Sequence, residues 1–166
     1  MNIRIVAVGR IKENFLRQEI GMYLGDIGRF CPVEIIEVAD ERAPQGLSSA
    51  EEKAIKAKEG QRILRGIRPN SYTIALAIEG QALSSRVFLG RLYDISLNIK
   101  TNIDFIIGGS LGLDEGILKR ADFLLSFSRL TFPHQLMRLI LLEQIYKGVS
   151  GKMGNPGYMD TGPRHR

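Results

Sequence analysis

Three stretches of this 166-residue chain carry residues whose types and spacing could do chemistry. Gly108-Gly109-Ser110 closes an apolar run, and paired glycines there let a backbone approach a flat or bulky ligand without a side-chain clash. From Leu125 to Phe132, hydroxyls and backbone amides alternate with apolar side chains, a composition able to hydrogen-bond an adenine edge while packing the ring faces. This stretch leads into His134 and Arg138. His134 reads as a titrating or substrate-binding group, or as a first-turn histidine bonded to a nearby carbonyl. Arg138, one turn on, shares its face and would bind an RNA phosphate or a substrate carbonyl, or pair with Glu143 or another acid. The third stretch is the end of the chain, about 148–166. Its glycines and prolines exclude a continuous helix, and Tyr158, Arg164, His165 and Arg166 make it a flexible basic arm with one stacking residue, suited to ordering on RNA. A frayed terminus has the same composition.

Other chemistries lose support. There is no Gly-x-Gly-x-x-Gly spacing of a dinucleotide fold and no Gly-Lys-Ser or Gly-Lys-Thr of a phosphate loop. Glu79 is a lone acid at a strand end, so a carboxylate pair of the glycosidase kind has no basis. The only cysteine, Cys31, has no second thiol for a disulfide or a zinc site, and no metal is expected. Lys and Arg outnumber Asp and Glu by 23 to 18, and the excess lies mostly after Leu83, where 11 basic residues meet 7 acidic ones. A skewed positive charge suits an anionic partner and equally a solvated surface. No apolar run approaches the ~20 residues that span a bilayer, and Met1 to Gly9 is too short for a secretory signal. A cytoplasmic protein is expected.

The elements that must position these residues alternate. Ile3–Val8 and Val33–Val38 read as strands flanking a helix in which Phe15, Leu16, Ile20, Tyr23, Leu24 and Ile27 recur at helical spacing. Ser48 and Glu51 form a capping box for a charged helix to about Ile67. Tyr72–Ile78 is a third strand, Glu79–Leu83 a loop, and Ser84–Asn98 a helix. Ile103–Ile107 is a fourth strand, Asp114–Arg120 a short helix, and Phe123–Ser126 a weak strand. A last helix starts near Pro133, with Thr131 placed to cap it. Its apolar residues from Leu136 to Tyr146 cover more than one face, which implies either a deep central helix or burial against a second subunit. One domain over 1–166 is expected, of class α/β, with a largely parallel sheet covered by helices on both faces.

Several of these residues resemble one family closely. Ala7-Val-Gly9, Glu34-Ile-Ile-Glu-Val38, Lys58-Glu-Gly60, Ile107-Gly-Gly-Ser110 and above all Leu125-Ser-Phe-Ser-Arg-Leu-Thr-Phe-Pro-His-Gln-Leu-Met-Arg138 are similar to the bacterial ribosomal RNA large subunit methyltransferase H family, over about Met1 to Tyr146. The resemblance implies a SPOUT-class fold with a C-terminal trefoil knot, which chain-threading rules would not suggest. It further implies a homodimer, S-adenosylmethionine as methyl donor, and methylation at N3 of a pseudouridine in the 23S RNA of the ribosome. Carried over residue by residue, cofactor binding falls on Leu76, Gly108, Phe127, Ser128, Arg129, Leu130, Thr131 and Phe132. Family members end in a compact Pro-Tyr-His-basic sequence that helps hold the nucleotide. Here its residue types are scattered through Pro156-Gly-Tyr158 and Pro163-Arg-His165-Arg166. Tyr158, Arg164 and Arg166 are assigned to substrate binding, with His165, His134 and Arg138 as catalytic candidates for removing the N3 proton or stabilising the anion. The alternative function is a catalytically impaired RNA- or ribosome-binding protein that retains the cofactor site.

Overall fold

Period-two alternation within the strands decides which side of the sheet each residue faces, and the two faces bury different helices. The computed structural model describes residues 1–151. In order the elements are β1 (Asn2–Val8), α1 (Asn14–Gly28), β2 (Val33–Val38), α2 (Ser49–Gly66), β3 (Tyr72–Ala82), α3 (Ser85–Asn98), β4 (Asn102–Ile107), α4 (Glu115–Arg120), β5 (Phe123–Ser126) and α5 (His134–Val149). The sheet runs β2-β1-β4-β3-β5 with every pairing parallel. At its centre Ile5 lies in register with Ile35 on one side and Phe105 on the other.

Ile3, Ile5 and Ala7 of β1 point with Ile103, Phe105 and Ile107 of β4 into the larger core, which α1, α3 and α5 close with Leu16, Ile20, Phe88, Leu92, Leu141 and Ile145. Val6, Val8 and Ile106 point the other way, against Ile63 of α2 and Ile117 of α4. A fully buried Ile or Phe of this kind contributes roughly 1.5–3 kcal/mol relative to exposure. The opposite alternation of β1 thus assigns odd helices to one face and even helices to the other.

Local signals explain most boundaries. Ser48 and Glu51 form the expected reciprocal capping box at the start of α2, and Ser84 and Asp114 cap α3 and α4. Two expectations are corrected. β3 does not stop at Ile78 but continues to Ala82, with a break in register, so that both Leu76 and Gln81 pair with Leu125. The backbone between them is pushed out of the ladder, and Gly80 makes this feasible, since a Cβ there would lie 2.7 Å from the Leu124 carbonyl carbon. Thr131 does not cap α5: Pro133 occupies the cap position and no side chain bonds the helix end. The first amides of α5 are therefore left without a side-chain partner. Of the two placements open for α5, the chain itself buries one stripe, Arg138, Leu141, Leu142, Ile145 and Gly148, while the remaining side chains are half-buried.

Candidate functional site

The carboxyl ends of β3, β4 and β5 open into one cleft of about 1370 Å³, more than a single small ligand needs. Parallel strands make this the expected place, because loops and helix N-termini with free N–H groups collect there. Three chain segments form much of its floor and walls: Leu76–Glu79 where β3 leaves the ladder, Ile107–Leu113 from the end of β4, and Phe127–His134 between β5 and α5, Arg129 excepted.

The β4 loop is shaped by exclusion of side chains. A Cβ on Gly108 would lie 2.9 Å from the Gly112 carbonyl carbon, and one on Gly109 would lie 3.0 Å from a carboxylate oxygen of Glu59. The loop folds back on itself through Gly112 N–H donating to Gly109 O at 3.1 Å. Glu59 of α2 is buried behind it, and its Oε1 accepts from Glu41 N–H at 3.0 Å. Burial raises the Glu59 carboxyl above the usual carboxylate range, partly opposed by the Glu41 hydrogen bond.

The β5–α5 loop uses its hydroxyls on itself. Ser126 Oγ donates to Ser128 O at 3.1 Å, and Leu130 N–H donates to Ser128 Oγ at 3.0 Å. Phe127 packs edge-on against Phe88, which anchors the loop to the core, while Leu130 stays 70% exposed and Phe132 39%. Two apolar side chains beside a cleft with that much exposure suit a flat ligand whose faces they would cover.

His134 and Arg138 occupy different depths. His134 lines the cleft, and a Cβ on Gly9 would lie 3.4 Å from its Nε2. Among the described residues its ring makes no hydrogen bond, so the carbonyl-bonded alternative has no partner here. Burial and then the Arg138 charge push its pKa below the ordinary histidine value, with Asp40 opposing and Lys12 assisting. The ring is accordingly neutral at pH 7, with a lone pair available. Arg138 is 0% exposed and stands outside the cleft lining. Its Nη1 donates to Glu37 at 2.7 Å, and its Nη2 donates to Val8 O at 2.9 Å and Gly9 O at 2.6 Å. Its carboxylate partner is Glu37, an acid other than Glu143, which pairs with Lys147. The Arg138 Nε is buried with no hydrogen-bond partner.

The structure therefore brings together Leu76, Gly108, Phe127, Ser128, Leu130, Thr131, Phe132 and His134 around one space, with Arg138 beneath it. Arg129 belongs to the same loop without lining the cleft. Tyr158, Arg164, His165 and Arg166 lie outside the described residues. Sequence reasoning missed the α2 wall, where Ala54 and Ala57 give room and Lys53 and Lys56 reach the rim. The i, i+3 spacing of those two alanines and two lysines is the signal that was available. It also missed Glu59. Among the described residues no group of three or more His, Cys, Asp or Glu could hold a metal ion, and no helix is long and apolar enough to cross a membrane.

Comparison with known proteins agrees with this geometry. A family model described as predicted SPOUT methyltransferase matches residues 1–156. The chain is 52% identical over 156 residues to Ribosomal RNA large subunit methyltransferase H of Bifidobacterium adolescentis, covering 94% of this chain and 98% of that one. The protein of that name from Clostridioides difficile is 51% identical with the same coverage. Among solved structures, a probable methyltransferase from Bordetella pertussis has a TM-score of 0.53 at 12% identity, over 89% of this chain and 96% of that one. A probable methylase family protein from Haemophilus influenzae has a TM-score of 0.51 at 14% identity, over 93% of this chain and 69% of that one. At such identities the structural likeness speaks for the fold.

Proposed function

The chain belongs to the SPOUT methyltransferase family, and from that membership we propose a specific reading of the cleft. The protein is a methyltransferase of large-subunit ribosomal RNA. Its donor is S-adenosylmethionine and its acceptor is N3 of a pseudouridine in 23S RNA on the ribosome. It acts in the cytoplasm as a homodimer, with the last helix of each subunit against its partner and the C-terminal chain threaded into a trefoil knot. The observation that carries this reading is positional: the run Phe127–His134, which bears the family resemblance, is also a wall of the cleft.

Leu76, Gly108, Phe127, Ser128, Arg129, Leu130, Thr131 and Phe132 would hold the donor, and the donor fits what is there. The glycine loop leaves the backbone bare, the apolar side chains of Leu130 and Phe132 can cover ring faces, and the volume admits a nucleotide as well. When bound, S-adenosylmethionine supplies an electrophilic methyl group on a sulfonium. The remaining task for the protein is to place the acceptor nitrogen in line and to take its proton. Holding two reactants in a near-attack geometry accounts for a large part of such an acceleration. Neutral His134, facing the cleft, can accept the N3 proton on a ring nitrogen. Arg138 keeps the ring unprotonated at rest, at the expense of its basicity, and positions it by holding the ends of β1 and α5 together. His165 is the alternative base, and Tyr158, Arg164 and Arg166 grip the nucleotide from the chain end.

The test is incubation of purified protein with labelled S-adenosylmethionine and ribosomes. One methyl per large subunit is expected. Donor binding without incorporation would instead return the chain to a ribosome binder that keeps its cofactor site.

A further inference from the structure

The connection from β1 to α1 contributes nothing to the cleft lining, yet its backbone is tied down from three elements. Gly9 O accepts from Arg138 of α5 at 2.6 Å, and Ile11 N–H donates to the Glu37 carboxylate of β2 at 3.2 Å. Ile11 O accepts from Arg17 of α1 at 2.9 Å, and Lys12 N–H donates to Gln135 Oε1 at 3.1 Å. The Ile11 side chain is buried. A connection held in this way fixes the backbone positions from which its outward side chains project. Beside the exposed acid Glu13 at the α1 cap, those side chains are the two cations Arg10 and Lys12, both exposed. Among the described residues neither forms an ion pair or a side-chain hydrogen bond, although Asp40 packs against the neighbouring Gly9. The connection also adjoins the chemistry. A Cβ on Gly9 would lie 3.4 Å from His134 Nε2, and the Lys12 charge is one of those felt by the His134 ring.

We propose that Arg10 and Lys12 are a phosphate grip for the RNA strand, set on the side of the cleft where His134 lies. This rests on the reading of the protein as an RNA methyltransferase. A nucleotide inserted toward His134 carries its flanking phosphodiesters over the rim, where two cations projecting from alternate residues of an ordered backbone meet them. Because the backbone is already ordered, binding loses little loop entropy. Each phosphate neutralised on a single strand releases condensed counterions and adds about 0.7 to the slope of log affinity against log salt.

The experiment compares the intact protein with the double variant Arg10→Ala/Lys12→Ala in binding to purified large ribosomal subunits across a salt series. Donor affinity by calorimetry and methyl incorporation are measured in parallel. Affinity for subunits is expected to fall about 10-fold or more near 0.1 M salt, and the slope to become shallower by about 1 to 1.5. Donor affinity should stay unchanged, and the charge-preserving variant Arg10→Lys/Lys12→Arg should bind as the parent does. Equal affinity and slope in the alanine variant overturn the grip, as does a loss that the charge-preserving variant shares. The two readings separate cleanly. Methyl incorporation with unaltered subunit affinity removes the grip alone, whereas a salt-dependent loss in a protein that transfers no methyl keeps the grip and removes the transfer reading.

Discussion

Two guanidiniums sit at opposite ends of the sheet, each against a carboxylate, and they are finished differently. At the amino ends of the strands, Arg68 Nε donates to fully buried Asp104 at 2.7 Å, and its Nη2 reaches Asn2 O and Ile103 O at 3.1 Å. Asp104 also accepts from the Arg68 backbone N–H at 2.7 Å, so the pair closes on itself. At the carboxyl ends, Arg138 leaves Nε unpartnered and shares Glu37 with the backbone of a connecting loop. A buried ion pair stabilises only when its remaining donors are satisfied. The lower pair meets that condition and fastens the sheet. The upper one trades completeness for position, since its bonds tie α5, which carries His134, to β2 and to the end of β1.

That contrast can be broken most forcefully at the cleft itself. Gly108→Val should abolish detectable methyl transfer, because the new Cβ meets the Gly112 backbone at 2.9 Å and the loop must move. Displacements of about 1 Å at a reacting site cost on the order of 100-fold or more. Donor titration by calorimetry should show the loss at the binding step. A matched pair of substitutions then addresses the two arginines directly. Arg68→Met should lower stability by roughly 3 kcal/mol by leaving the Asp104 carboxylate buried without its cation, with turnover per folded molecule retained. Arg138→Met should instead lower turnover per folded molecule by about 10-fold or more. Denaturant melts and specific activity measured on both variants decide this. If they respond alike, the division between fastening and positioning fails.

A smaller effect is read from pH. Burial and Arg138 hold the His134 pKa below its ordinary value of about 6.5. Its lone pair is therefore freed as pH rises through that lowered value. The acid limb of the transfer rate should lie below pH 6.5, move upward in Arg138→Met as the cation is removed, and be lost in His134→Gln. Stability follows the same linkage. Protonating the ring costs more folded than unfolded, so stability declines as pH falls from about 6.5 to the lowered value. The smallest expected effect is at Glu59, where the sign reverses. Its raised pKa means that stability is fully present below the unfolded value near 4.3 and is lost as pH rises through the folded one. Glu59→Gln, which keeps the acceptor for Glu41 N–H, should gain about 1 kcal/mol or less at pH 7 and nothing near pH 4. A loss at neutral pH would mean that the charge itself holds the Gly109 loop.

Most elements were legible because their signals are local. The β-branched alternation of β1 and β2, the Ser48–Glu51 box and the Ser84 cap each act within a few residues. What escaped depends on contacts between distant segments. The extension of β3 past Glu79 requires Gly80 to press on Leu124, and nothing near residue 80 in sequence announces that neighbour. The Arg138 ion pair, open from sequence to Glu143 or another acid, forms with Glu37 about a hundred residues away, a choice only the fold makes. At the site, the glycine loop and the Leu125–Phe132 run were readable from composition. Glu59 and the α2 lysines were not, since an α2 rich in charge resembles any solvated helix until its packing against the β4 loop is known.

The central claim is that this cleft delivers a methyl group to large-subunit ribosomal RNA, and mass spectrometry of 23S RNA fragments from ribosomes treated with the protein and S-adenosylmethionine tests it most directly. The account predicts one added methyl, located on N3 of a pseudouridine and missing when Gly108→Val replaces the parent protein. An unmodified RNA in the presence of bound donor, or a methyl on a different kind of nucleotide, would contradict it.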